Sequence, residues 1–165
     1  TPQIWCSDNT DALDRLRIQY GTSFFYQAST VGSHVSAVPN HQTGRSVGLH
    51  TRGVVAMAGA FGYELDPEKL SEEEKAAVRE QIRRYKSWEA LIRGGRYYRL
   101  SNPFKEAFAA WMFVSEKKDR ALLSVVMLEM HGNMTVSYVK MKGLDPLAAY
   151  RDTESGRRYY GADLM

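Results

Sequence analysis

Apolar and polar positions follow two rhythms along this chain, and the change falls near residue 95. Before it, short apolar runs alternate with stretches whose apolar residues recur every three or four positions. The run over residues 2–7 predicts a strand. Leu13, Leu16, Tyr20 and Phe24 then keep helical spacing, so residues 10–25 read as a helix capped by Asn9 or Thr10. Ser29 to Val35 reads as a second strand, Arg52 to Gly59 as a short helix, and Phe61 to Leu65 as a third strand. Ser71 and Glu74 have capping-box spacing. Val78, Ile82, Tyr85, Trp88 and Ile92 form one apolar stripe, which predicts a helix over 68–93 stopped by Gly94 and Gly95. Its other side carries Glu72-Glu73-Glu74, Arg79, Arg83 and Arg84 and reads as a solvated face.

Three β-then-α units at about 31 residues each keep the pace of a (β/α)8 barrel of ~250 residues. Three units do not close a barrel, so residues 1–95 are predicted to be the C-terminal portion of one. A dinucleotide-binding sheet has similar spacing, but no Gly-rich fingerprint opens a helix here. Beyond Gly95 the pattern turns β-rich, with runs at Phe108 to Val114, Ala121 to Met130 and Met134 to Met141. Glu116-Lys117-Lys118-Asp119 and His131-Gly132-Asn133 read as turns between them. A further hairpin pairs Tyr150-Arg151-Asp152 with Arg158-Tyr159-Tyr160 around Ser155-Gly156. The nearly unbroken apolar run from Ala121 to Met130 predicts a strand covered on both faces. The expected fold class is therefore α/β plus all-β: the last β/α units of a barrel over 1–95, then an antiparallel β-domain over 96–165, with the boundary at 94–103.

Composition narrows the function. A net charge of +3 is too small to imply nucleic acid without a clustered patch. Tyr97-Tyr98-Arg99 and Arg157-Arg158-Tyr159-Tyr160 mix aromatic and basic residues, as single-strand sites do. They fall in predicted strands, where tyrosine is a good strand former, and no nucleic-acid partner is expected. One cysteine, Cys6, excludes an internal disulfide. No apolar run approaches a membrane span. The chain opens on Thr1 with no signal-peptide pattern and is read as a piece of a longer, cytoplasmic protein.

The candidate chemistry sits at the first strand end. Asp8, Asp11 and Asp14 form the one carboxylate cluster at a predicted strand tip, where side chains of α/β enzymes reach their substrates. Glycoside cleavage uses two carboxyl groups, one ionised and one holding a proton. Ser7-Asp8-Asn9 directly after Trp5-Cys6 suits an acid at the lip of a site, with apolar neighbours beneath it. The competing reading is that all three aspartates cap the following helix. It is favoured for Asp11 and Asp14 and leaves Asp8 open. His34 and His41 do not have zinc-ligand spacing, so neither a metal nor a cofactor is expected. No Gly-x-Ser-x-Gly elbow is present. The loop Pro39-Asn40-His41-Gln42-Thr43-Gly44-Arg45 reads as a pocket wall or a hydrogen-bonded turn.

Four segments together resemble the retaining α-galactosidases of glycoside hydrolase family 36. They are Thr1-Pro2-Gln3-Ile4-Trp5-Cys6-Ser7-Asp8-Asn9-Thr10-Asp11, Ile18-Gln19-Tyr20-Gly21-Thr22-Ser23, His34-Val35-Ser36 with Pro39 to Arg45, and Phe61-Gly62-Tyr63-Glu64-Leu65-Asp66. The resemblance implies a barrel enzyme with a C-terminal β-domain that removes terminal α-galactose from raffinose, melibiose and similar oligosaccharides. It implies retention through a covalent glycosyl-aspartate, no metal, and a homo-oligomer, often a tetramer. By matched position it makes Asp8 the proton donor and later the base. The family's Lys-Trp-Asp nucleophile string is not in these residues, so the nucleophile is expected outside this chain and the chain by itself is expected to be inactive. Gln27 stands where the family usually has proline. The alternative is a non-catalytic carbohydrate-binding or assembly module.

Overall fold

The computed structural model describes residues 3–130, 132 and 136–165. It divides into two compact units, Thr1–Arg93 and Gly94–Met165. The first has the order α1 (Ala12–Thr22), β1 (Gly32–Ser36), α2 (Leu49–Ala56), β2 (Ala60–Glu64) and α3 (Glu72–Gly94). β1 and β2 are parallel, with Ser33 opposite Phe61 and Val35 opposite Tyr63. Parallel neighbours require a crossover, and α2 lies on it. Val31, Val35, Val55, Ala56, Tyr85 and Ile92 are buried. At Gly59 a Cβ would fall 2.4 Å from the Val31 carbonyl and 3.0 Å from that of Ala28, so only glycine lets the chain pass there.

Several expected elements change at their edges. The strand over 2–7 is reduced to a single parallel bridge between Ile4 and Val31. The Ile4 amide donates to the Thr30 carbonyl, and the Ile4 carbonyl accepts from the Gly32 amide, both at 2.9 Å. Three residues later the Ser7 carbonyl is taken by the Arg15 side chain at 3.3 Å instead of by a ladder. α1 is capped by Asp11, not by Asn9 or Thr10. Those two are engaged elsewhere: Asn9 donates to Asp14, and Thr10 accepts from Asn40. The first residues of the expected second strand form a short 3-10 turn over Ala28–Thr30. The short helix begins three residues earlier than expected, at Leu49. The capping box of α3 is formed as read: the Glu74 amide donates to Ser71 Oγ at 3.2 Å, and the Ser71 amide to Glu74 Oε2 at 3.0 Å. Tyr85 and Ile92 on its stripe are buried, while Arg79, Arg83 and Arg84 are exposed.

The second unit is a three-stranded antiparallel meander of β3 (Arg96–Arg99), β4 (Phe108–Val114) and β5 (Ala121–Met127), followed by the hairpin β6 (Ala149–Arg151) and β7 (Arg158–Tyr160) and the short α4 (Gly161–Leu164). Met112, Val114 and Leu144 form its core, against which Tyr98, Leu123, Met141 and Tyr150 pack. The strand buried on both faces is β4, from Ala109 to Val114, not the one beginning at Ala121. β4 is central in the meander, whereas β5 has a partner on one side only and buries Val126 alone among its residues. The expected strand from Met134 is not formed over residues 136–141. Val136 and Tyr138 are both largely exposed, so the alternation there has no face to bury. Met134 lies outside the described residues. So do His131 and Asn133 of the expected turn, while Gly132 is in a turn. No helix among the described residues is long and apolar enough to cross a membrane.

Candidate active site

The segment from Trp5 to Asp14 is held from below. Arg15, buried on α1, reaches back with its guanidinium to the carbonyls of Ser7 and Gly32. One side chain thus ties the Asp8 segment to the start of β1. Beside it, Gln19 and Ser33 are buried together: Ser33 Oγ donates to Gln19 Oε1 at 2.7 Å, and Gln19 Nε2 donates to the Val55 carbonyl at 3.3 Å. Buried polar groups are tolerated here because they are paired.

The three aspartates separate by role. Asp11 is buried and accepts from the Leu13 and Asp14 amides at 3.0 and 3.1 Å, the arrangement of an N-cap. Its carboxylate also takes the Thr43 hydroxyl at 2.9 Å and an ion pair with Arg45. Burial pushes this carboxyl up, but the Asp14 amide, Thr43 and Arg45 outweigh that effect and hold it below its usual value. Asp14 accepts from Asn9 at 2.8 Å and lies 3.4 Å from Arg45. Asp11 thus caps the helix as expected, whereas the Asp14 carboxylate pairs with Asn9 and Arg45 and does not cap it. Asp8 is exposed, and its Oδ1 faces Trp5 Nε1 at 2.8 Å.

Trp5 is not the apolar floor expected beneath Asp8. It is 52% exposed, stands beside the carboxyl and offers its indole N–H. Its other contact is His34 on β1, with ring centroids 5.1 Å apart and planes tilted by 38°. Burial of the His34 imidazole lowers its basicity; the Glu64 carboxylate opposes this and the Arg15 charge adds to it, leaving the group below its ordinary value and neutral at pH 7.

The loop from Pro39 to Arg45 is a hydrogen-bonded turn. Asn40 Oδ1 accepts from the Gln42 and Thr43 amides, each at 2.9 Å, and Gly44 takes a positive φ of 70°. Asn40 Nδ2 donates to Thr10 Oγ1 at 3.0 Å. Together with Thr43 and Arg45, this sews the loop to the residues just after Asp8. His41 is exposed on it. Cys6 is a half-buried free thiol. Among the described residues, no group of three or more His, Cys, Asp and Glu side chains is arranged to hold a metal.

The chain that carries this exposed carboxyl and its paired polar neighbours has relatives among known proteins. Residues 1–95 match the family described as Melibiase, and residues 108–165 match the glycosyl hydrolase family 36 C-terminal domain. The chain belongs to the melibiase family. The bifunctional alpha-galactosidase/sucrose kinase AgaSK of Mediterraneibacter gnavus is 62% identical over all of this melibiase chain, which covers 18% of that protein. The solved galactosidase domain of AgaSK superposes with a TM-score of 0.98, covering 100% of this chain and 23% of that one. An alpha-galactosidase AgaA variant from Geobacillus stearothermophilus, solved in complex with raffinose, has a TM-score of 0.95 at 49% identity, covering 98% of this chain and 22% of that one. The chain spans about a fifth of the length of the curated relatives it matches. The α/β units followed by antiparallel sheet match these family 36 structures.

Proposed function

We propose that the melibiase chain contributes the acid/base carboxyl, Asp8, to a retaining α-galactosidase, with residues 1–95 forming the end of its catalytic barrel and 96–165 most of its C-terminal β-domain. The observation that carries this is the division of labour among the aspartates. Asp11 is consumed by the cap and Arg45, and Asp14 by Asn9 and Arg45, while Asp8 is exposed four residues beyond the Ile4–Val31 bridge and takes only the Trp5 indole among the described hydrogen bonds. The substrate class is a terminal α-D-galactoside of the raffinose and melibiose type, in line with the raffinose bound by the AgaA relative.

In the first step the Asp8 carboxyl gives its proton to the glycosidic oxygen as the C1–O bond breaks. A carboxylate nucleophile, expected on a part of the enzyme outside this chain, bonds to C1 from the opposite face. In the second step the Asp8 carboxylate takes a proton from water while the water oxygen attacks C1 and the ester bond to the nucleophile breaks. Galactose leaves with its original anomeric configuration.

The test is Asp8→Ala in the full-length protein. Loss of general acid catalysis lowers kcat/KM on raffinose by about 10²–10⁴-fold. An aryl galactoside whose leaving group needs no proton loses far less. Added azide, which needs no base, restores turnover and yields α-galactosyl azide. Near wild-type activity in this variant, or a β-configured azide product, overturns the assignment. Asp14→Ala is the control and keeps its turnover.

A further inference from the structure

The indole N–H of Trp5 is aimed at one oxygen of the Asp8 carboxyl, Oδ1, at 2.8 Å. An N–H donates and never accepts. The carbonyl oxygen of a carboxylic acid accepts better than its hydroxyl oxygen, so a donor on Oδ1 favours the acid proton on Oδ2. The donor has a second effect. As the proton leaves, negative charge grows on the carboxyl, and a fixed donor favours the charged form. Trp5 is half exposed, and its ring lies against His34, which stands in β1 opposite Gly62. That neighbour leaves room, because a Cβ on Gly62 would fall 3.0 Å from the His34 ring. The segment carrying both Trp5 and Asp8 is anchored by the Ile4–Val31 bridge at one end and by Arg15 on the Ser7 carbonyl near the other. The pair is therefore positioned from three sides.

We infer that Trp5 is a positioning residue for the acid step, presenting the Asp8 proton on the oxygen that faces the leaving group, with His34 holding the indole plane. This rests on the reading of Asp8 as the acid/base. It separates Trp5 from a sugar-stacking role: its N–H acts on the enzyme's own carboxyl. It also predicts a one-sided effect. The indole assists proton donation and gives nothing to a leaving group that departs without a proton.

The experiment uses the full-length enzyme and two substrates, raffinose and a dinitrophenyl α-galactoside, with kcat/KM measured for each. This ratio reports steps up to the first bond cleavage, so it isolates the acid role from the later base role. Trp5→Phe keeps a ring against His34 and removes the N–H. We expect kcat/KM on raffinose to fall about tenfold and on the dinitrophenyl substrate by less than twofold. His34→Ala loosens the indole and gives a smaller loss of the same one-sided kind. Equal losses of Trp5→Phe on both substrates, or no loss on raffinose, overturn the inference. Thermal unfolding checks that the variant is folded. If it is not, 3-benzothienylalanine at position 5 keeps the indole shape without the N–H, and its substrate ratio decides the question. Asp8→Ala is run alongside. If Asp8→Ala discriminates between the substrates and the Trp5 variants do not, the positioning role fails and the acid assignment stands. If Asp8→Ala loses both substrates equally, the acid assignment itself has failed.

Discussion

Replacing Asp11 tests whether the scaffold beneath the site works as described. Asp11→Ala removes the cap of α1, the acceptor for Thr43 and the partner of Arg45. Losing an N-cap costs about 1 kcal/mol. Leaving the Thr43 hydroxyl without its acceptor costs about another 1 kcal/mol. The Arg45 side chain is 42% exposed, so its ion pair is held to the surface range of about 1 kcal/mol or less. Together these come to about 3 kcal/mol of local stability. Asp11→Asn isolates one part of this. Asparagine caps as well as aspartate does through its one oxygen, but its NH2 group stands where Oδ2 accepted from Thr43, so the Thr43 acceptor and the charge on Arg45 are both lost, about 2 kcal/mol together. Amide hydrogen exchange on the full-length protein reads the local change without requiring global two-state unfolding. In peptides spanning residues 11–16 and 40–45, exchange should speed up by more than about a hundredfold in Asp11→Ala and about thirtyfold in Asp11→Asn, since each 1.4 kcal/mol is roughly a factor of ten. The folded state holds the Asp11 carboxyl below its usual 3.8, so its contribution is complete above that pH and is lost as pH falls through the lower, folded-state value. The wild type should therefore lose protection in these peptides under acid, and Asp11→Asn should lack that dependence. Equal acceleration in the two variants, or less than tenfold in Asp11→Ala, would refute this account of the cap and its partners.

Two further substitutions probe the backbone. Gly59→Ala drives a Cβ against the Val31 and Ala28 carbonyls and should cost about 1–3 kcal/mol, lowering the apparent Tm of the full-length protein by a few degrees; an unchanged melting curve would contradict the close approach. Gln27 has φ −61°, already the proline value, so Gln27→Pro should stabilise by about 0.4–1 kcal/mol through the unfolded chain, and a lowered Tm would show that its N–H or the preceding residue resists the ring.

Local signals carried the sequence reading where the physics was local. The α3 capping box and the Phe108–Val114 strand were legible because three-residue hydrogen bonding and a β-rich run decide them. Burial was harder, since it depends on which neighbours a strand acquires. Phe108–Val114 is the unbroken apolar run, whereas Ser124 interrupts β5, and β4 is also the strand with a partner on each side. The cap of α1 was misplaced by one or two residues because four polar residues compete there, and the choice falls to Thr43 and Arg45, some thirty positions away. A local cue did exist for the loop: Asn40 two and three residues before Gln42 and Thr43 is the pattern of an Asx turn. Asp8 could be singled out from its place at a strand end. The indole beside it could not, because an apolar pattern counts Trp5 by its ring, and the direction of its N–H is set by the fold of the segment.

The stitching of the Asn40 loop to Thr10 and Asp11 sets a rule for recombining this protein with its relatives. Thr10, Asp11 and Asp14 belong to one end of the segment, and Asn40, Thr43 and Arg45 to the other. A crossover between positions 15 and 39 would give each chimera half of one parent's knot and half of the other's. Junctions before residue 9 or after residue 45 inherit it whole, whereas one between 15 and 39 preserves it only where both parents carry these six residues.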